Sequence, residues 1–243
     1  MNPPPDSSTI KRSLSAHAAV GLLAGALLYL VCLTGTILVF YEEWQRLEQG
    51  TAPALGEIRP DAMQRGVAAV LAKEAGKPPT SHLYVHLPEE NLPYATVTTD
   101  TQAVHLDGAG NIAGKEENGW SEFLYDLHYA LQLPGVVGSA IVGALGVMML
   151  ALSLSGVIAH PRIFRDAFRL RARNPGGIAL ADWHNRLGVW TLPFAVAIAL
   201  TGAVIGLAAL TAQGIASRYY QGDIEAAYAP IFGEEGRPDK APA

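Results

Sequence analysis

Residues 18–40 read AAVGLLAGALLYLVCLTGTILVF, 23 positions without a Lys, Arg, Asp or Glu. The hydrocarbon core of a bilayer is about 30 Å thick and takes about 20 apolar residues in a helix, so this stretch is expected to cross a membrane. Two further segments, 135–159 and 187–210, are equally free of charge. The composition agrees, since half the residues are apolar and only 16% are charged, low for a soluble domain. The expected fold class is a membrane all-α bundle of three transmembrane helices with a small extracytoplasmic α+β insertion.

The net charge of −5 hides an asymmetry that sets the expected orientation. Between 159 and 186 there are six arginines (Arg162, Arg165, Arg169, Arg171, Arg173, Arg186) against Asp166 and Asp182, whereas residues 41–134 hold 14 acidic and 6 basic residues. By the positive-inside rule the arginine-rich connection is cytoplasmic and the acidic segment lies outside. Lys11 and Arg12 put the N-terminus inside. Membrane lipid is the natural partner of the basic loop, and no nucleic acid is needed to explain it. The first span is too long for a signal-peptide core, and Tyr41, Glu42, Glu43 and Trp44 follow it in place of a small-residue cleavage site, so it is expected to be retained. The single Cys32 allows no intramolecular disulfide and is read as a small packing residue.

The expected organisation is a disordered cytoplasmic leader (1–13), a first membrane helix (14–44), an outer loop (45–119), an amphipathic helix with the second membrane helix (120–160), a basic cytoplasmic loop (161–183), a third membrane helix (184–212) and an outer C-terminal tail (213–243). Within the outer loop, Met63, Val67, Val70 and Leu71 recur at helical spacing, and the helix ends near Gly76. Runs at 83–87, 94–98 and 103–106 alternate like short strands, the last closed by a turn at 107–111. Phe123, Leu124, Leu127, His128 and Leu131 form one apolar face ahead of Pro134, which marks a kink or a new helix start. The first and third spans also repeat one another. His17 is followed by Gly21, Thr34 and Gly35, and His184 by Gly188, Thr201 and Gly202, at the same offsets. Ser155 and Gly156 are a related pair in the second span.

Three of the seven histidines fall at one depth: His17 opens the first span, His160 ends the second and His184 opens the third. Imidazole nitrogen is a good ligand for iron, and facing histidines on membrane helices can clamp a haem between them. Gly21 and Gly188 would leave room for the macrocycle, or serve close helix packing, since Gly21 and Gly25 form a GxxxG. Interfacial anchoring is the plainer alternative for each histidine. Zinc is less well served, because only Asp182 stands near to complete a tetrahedral set. Asp182 is expected instead to orient His184, and Arg162 and Arg186 to pair with propionates. His128 lies at the opposite surface, where it could ligate a second haem. His82, His86 and His105 are expected to be ordinary surface histidines. No Ser/His/Asp set, phosphate loop or nucleic-acid motif occurs.

The combination of HxxxG, LTG and FYEEW in the first span, LHYAL before the second, LSG and HPRIFR at its end, and DWHNRLGVWTLP opening the third resembles the PepSY-associated transmembrane proteins. The resemblance covers roughly residues 11–235, with 60–115 similar to a PepSY module. It implies a bacterial inner-membrane protein linked to iron uptake, with haem b bound at one site or two. His17, His128 and His184 match the family's haem-ligand positions, and His160 stands where many relatives have an aromatic residue. Typical members continue through another outer domain and a fourth membrane helix, so the outer site at His128 is either completed by another subunit, a homodimer partner or a separate fourth-helix protein, or does not form. The function implied is electron transfer from a cytoplasmic donor to the periplasm, as in a ferric-siderophore reductase. The competing reading is a non-catalytic, membrane-anchored PepSY module that binds or regulates a periplasmic partner.

Overall fold

The computed structural model describes residues 7–78, 80, 82–168 and 177–232. It contains α1 (Ser7–Leu38), α2 (Tyr41–Glu48), α3 (Pro60–Lys73), β1 (Leu83–His86), β2 (Ala95–Thr99), β3 (Ala103–Leu106), β4 (Ile112–Lys115), α4 (Gly119–Ala130), α5 (Val136–Ala159), α6 (Ile163–Asp166), α7 (Gly177–Tyr219) and α8 (Ile224–Phe232). Three of these helices, α1, α5 and α7, are long and apolar enough to cross a membrane. Their large apolar side chains face outward, with Leu22 89%, Leu23 73% and Phe194 71% exposed, as expected where lipid rather than protein is the solvent. The fold is therefore mostly helical, with a small antiparallel sheet between the first two long helices.

The chain divides into two units. One takes in α1 as far as Gly35 and the chain from Asp126 onward, and the other is Thr36–Tyr125. In the helical unit α5 and α7 pack closely because small residues line their seam. A Cβ added to Gly143 would stand 2.9 Å from the Gly206 backbone, one on Gly146 2.8 Å from Ala199 O, and one on Gly206 2.6 Å from Ser139 O. Rising numbers on α5 meet falling numbers on α7, so the pair is antiparallel. Without a strong hydrophobic drive in lipid, such close backbone approach is what holds membrane helices together. The GxxxG of Gly21 and Gly25 makes no such close approach: a Cβ on Gly21 would stand 3.7 Å from Leu152 Cδ2, ordinary contact, and one on Gly25 would meet nothing within 4 Å. Cys32 is exposed rather than packed.

Several element limits differ from expectation. The leader is helical from Ser7, and α1 stops at Leu38, with a turn at Val39 and Phe40 before α2. α7 begins at Gly177, inside the expected basic loop, and runs 43 residues to Tyr219, while α8 forms within the expected tail. α5 starts afresh at Val136 after Leu131 and Gln132, both in the left-handed region, and Gly135 at φ 61°. Residues 1–6, Arg169, Arg171 and Arg173 of the basic loop, and 233–243 of the tail lie outside the described residues.

The second unit is a four-stranded meander in the order β1-β2-β3-β4 with α3 on one face. Met63 and Val70 of α3 close on Ala95, Val97, Val104 and Leu106; full burial of a Val or Leu side chain contributes about 1.5–3 kcal/mol. Gly66 permits the approach, since a Cβ there would lie 2.2 Å from Leu106 Cδ1. Pro60 opens α3 at its first turn, where a missing N–H costs nothing. Glu74 caps the other end and ties it to the β2–β3 turn, accepting from the hydroxyls of Thr99 and Thr101 and from the Gln102 amide. β4 was not foreseen. Ala113, Gly114 and Lys115 have weak strand propensity, but the turn at 107–111, braced by Asp107 accepting from the Ala109 and Asn111 N–H groups, brings them beside β3.

Candidate functional site

In the helical unit α1, α5, α6 and α7 surround a pocket of about 960 Å³. His17 of α1, His160 just past the end of α5 and His184 of α7 all line it, among Leu14, Met149, Leu152, Val157, Leu180 and Leu192. The lining is mainly apolar, which suits a flat apolar cofactor more than a hydrated ion. Asn185 and Gly188 also line it; Asn185 was not singled out from sequence, because nothing in its spacing distinguishes it from a surface residue at a helix start.

His17 and His184 form the centre of the site. Their ring centroids are 6.0 Å apart and their planes cross at 72°. Rings this close could hold one metal ion between their nitrogens, which would supply redox or Lewis-acid chemistry there. His17 Nδ1 donates to Leu152 O at 3.0 Å, with Ser155 Oγ at 3.2 Å. A carbonyl can only accept, so the proton sits on Nδ1 and Nε2 keeps its lone pair. Such a bond fixes the ring and raises ligand basicity. Gly156 lets the ring come close, since a Cβ there would stand 3.2 Å from His17 Cε1.

His128 is held in the same way at the other end of α1. Its Nδ1 donates to Val31 O at 2.9 Å, Thr34 Oγ1 lies 3.3 Å away, and a Cβ on Gly35 would stand 2.6 Å from the ring. Leu152, Ser155 and Gly156 on α5 therefore match Val31, Thr34 and Gly35 on α1: carbonyl, hydroxyl three residues on, glycine four residues on. The Ser155-Gly156 and Thr34-Gly35 pairs are thus histidine cradles. The third such set, Ile198, Thr201 and Gly202 on α7, holds no histidine among the described residues; Thr201 bonds back to Ala197 O and Ile198 O, and Gly202 has nothing within 4 Å.

Other expected site residues fall elsewhere. Asp182 is buried while His184 is exposed. Two residues along a helix turn the side chain by about 200°, so Asp182 does not share the face of His184. Arg162 is exposed and Arg186 lays its guanidinium over Trp190, 4.7 Å from the ring centre; neither lines the pocket. His82 and His86 are exposed as expected, but His105 is buried at 3% exposure, because it points from the middle of the sheet onto Tyr94 and Thr96. No cluster of three or more His, Cys, Asp or Glu able to hold a metal ion occurs among the described residues.

The chain is 34% identical over 122 residues to an uncharacterized protein of Pseudomonas aeruginosa, a match that covers 48% of this chain and 31% of the relative. The chain thus spans about a third of that relative's length. Residues 14–243 match the family described as PepSY-associated TM region. With nearly the whole sequence matched, this is a membrane protein that belongs to the PepSY-associated TM region family.

Proposed function

We propose that the chain binds haem b between His17 and His184 and moves electrons across the bacterial inner membrane, from a cytoplasmic donor toward ferric iron or a ferric siderophore in the periplasm. The observation that carries this reading is the 6.0 Å spacing of the two rings at an apolar pocket of about 960 Å³. The residues fit the group: His17 presents a lone pair at Nε2, His184 faces it, Gly156 admits the His17 ring, and Gly188 leaves open space beside them. Bound haem would supply a one-electron couple. The chain's own part is to hold both rings, to keep the His17 proton on Nδ1, and to exclude water with Leu14, Met149 and Leu152. His160 is the alternate ligand. The orientation rests on the arginines between the second and third spans.

His128 extends the reading to the far end of the helical unit. Its ring is oriented like that of His17, with Nε2 free, so it is ready to ligate a second group completed by another subunit or helix. One site alone leaves a gap on the order of half the 30 Å core. Purified protein from haem-replete cells tests the proposal: reduced-minus-oxidised b-type bands should appear and vanish in His17→Ala and His184→Ala, and colourless protein would overturn it.

A second reading, partner binding by the sheet unit, is favoured by a groove of about 600 Å³ between α3 and β1, where Leu71, Val85 and Leu87 are exposed.

A further inference from the structure

In both occupied cradles one ring N–H faces two acceptors. Leu152 O lies 3.0 Å and Ser155 Oγ 3.2 Å from His17 Nδ1, and Val31 O lies 2.9 Å and Thr34 Oγ1 3.3 Å from His128 Nδ1. The carbonyls only accept, so both Nδ1 atoms carry a proton, and the hydroxyls cannot donate to them. Each hydroxyl proton goes to its own helix instead. Ser155 donates to Leu152 O at 3.2 Å, and Thr34 to Leu30 O at 2.9 Å or Val31 O at 3.0 Å. Thr201, with no histidine over it among the described residues, donates in the same way to Ala197 O or Ile198 O. What Ser155 and Thr34 present to the rings is therefore an oxygen lone pair.

That lone pair has a share of the ring proton that the carbonyl alone does not cover. Leu152 and Val31 lie inside α5 and α1, where a carbonyl already accepts the N–H four residues on, and a carbonyl has two lone pairs. A proton drawn toward a second acceptor leaves the imidazole richer in electrons and makes Nε2 the stronger donor. The wall of the pocket at His17 is mainly apolar, with Met149 and Leu152 in it, and a hydrogen bond counts for more there than in water. An electron-rich nitrogen favours the higher oxidation state of an iron bound to it, so a stronger bond at Nδ1 lowers the reduction potential.

We propose that Ser155 is a positioning residue that sets the reduction potential of the site at His17, by accepting from Nδ1–H beside Leu152 O, and that Thr34 does the same for His128. The proposal rests on the reading of His17 as a haem ligand. Each hydroxyl acts through its histidine, and alanine in its place keeps the helix, being the best helix former.

The test is a potentiometric titration of the full chain, purified with its haem and held in lipid nanodiscs, followed at the b-type absorbance. The component to read is the one that disappears in His17→Ala. Ser155→Ala should raise its ferrous-to-ferric ratio at fixed potential at least threefold, an upward shift of about 28 mV at 59 mV per tenfold, with haem content retained. Ser155→Thr, which restores a hydroxyl of the kind that serves His128, should return the ratio to the parent value. A purely structural role in α5 would move the thermal midpoint and leave the potential unchanged. In the reduced protein the Nδ1–H proton resonance of His17 should move upfield in Ser155→Ala and stay in place in Thr34→Ala, and that of His128 should do the reverse. Coloured protein with the same potential in the parent and Ser155→Ala, or an equal shift in Ser155→Thr and Ser155→Ala, would overturn the proposal and leave the haem reading standing. Colourless parent protein would remove both.

Discussion

The rings of His17 and His184 stand 6.0 Å apart at a crossing angle of 72°, although they belong to the first and third long helices. The partner that positions His17 is on neither of those helices: it is Leu152 O of α5, with Ser155 and Gly156 in the same turn. Three helices thus meet at one histidine pair. Crowding the cradle should break the pair without touching either histidine. In Gly156→Val the new Cβ stands 3.2 Å from His17 Cε1 and 3.4 Å from Nδ1, and the outer methyls reach further into the ring. We expect bound haem to fall several-fold at unchanged protein yield. Gly25→Val, which has nothing within 4 Å, serves as the control, and equal haem content in both variants would remove His17 from the ligand set.

Glu48 caps α4 from a distant part of the chain, accepting from the backbone N–H groups of Trp120 and Ser121 and from the Ser121 hydroxyl. A carboxylate at a helix N-terminus is favoured by the unpaired N–H groups and the helix dipole, and these bonds hold the Glu48 carboxyl below its ordinary range despite the opposing effect of burial. Glu48→Ala leaves those donors to water. The expected loss is about 1 kcal/mol, within the usual range for a cap, read as a lower denaturation midpoint. An unchanged midpoint would show that the cap does not stabilise the fold.

The three spans were legible in the sequence because length without charge is a strong signal on its own. The histidine trio was legible from matched depth. What escaped was set by packing. His105 sits in a strand that alternates in the ordinary way, and only the four-strand register, with β4 built from poor strand formers, buries it. The Ser-Gly and Thr-Gly pairs were visible, but their function depends on which histidine the fold brings over them. The GxxxG at Gly21 and Gly25 was a better sequence match than the true α5–α7 seam, because small residues are frequent on all three helices and spacing alone does not choose between faces.

Glu74 makes the sheet unit acid-sensitive in a defined window. The Thr101 hydroxyl first, then the Gln102 amide, Lys77 and Thr99, hold its carboxyl down to about 2, against a burial effect that would raise it. A folded value below the unfolded 4.5 means the stabilisation is present above that value and is lost as pH falls toward 2. Hydrogen exchange at Thr99 and Gln102 should therefore accelerate from pH 5 to pH 3, after correction for the intrinsic rate. In Glu74→Gln this acceleration should be smaller, starting from a less protected state. An identical pH profile in the variant would show that another carboxylate governs the region.

The α5–α7 seam makes a prediction that separates two glycines one turn apart on the same helix. A Cβ at Gly206 would lie 2.6 Å from Ser139 O and 2.7 Å from Gly143 N, both backbone atoms that cannot step aside as a side chain can. At Gly202 the same atom would meet nothing within 4 Å. Both changes to leucine add the same apolar volume and the same gain in helix propensity, so their difference isolates close approach. Overpacking a tight contact costs about 1–3 kcal/mol or more, and here it also parts the helices that carry His160 and His184. Gly206→Leu should lower the thermal midpoint in detergent and reduce haem retention, while Gly202→Leu should leave both near the parent values. Equal loss in the two variants would mean that the Gly202 face is covered as closely as the seam, and that a helix seats on the Ile198, Thr201 and Gly202 cradle.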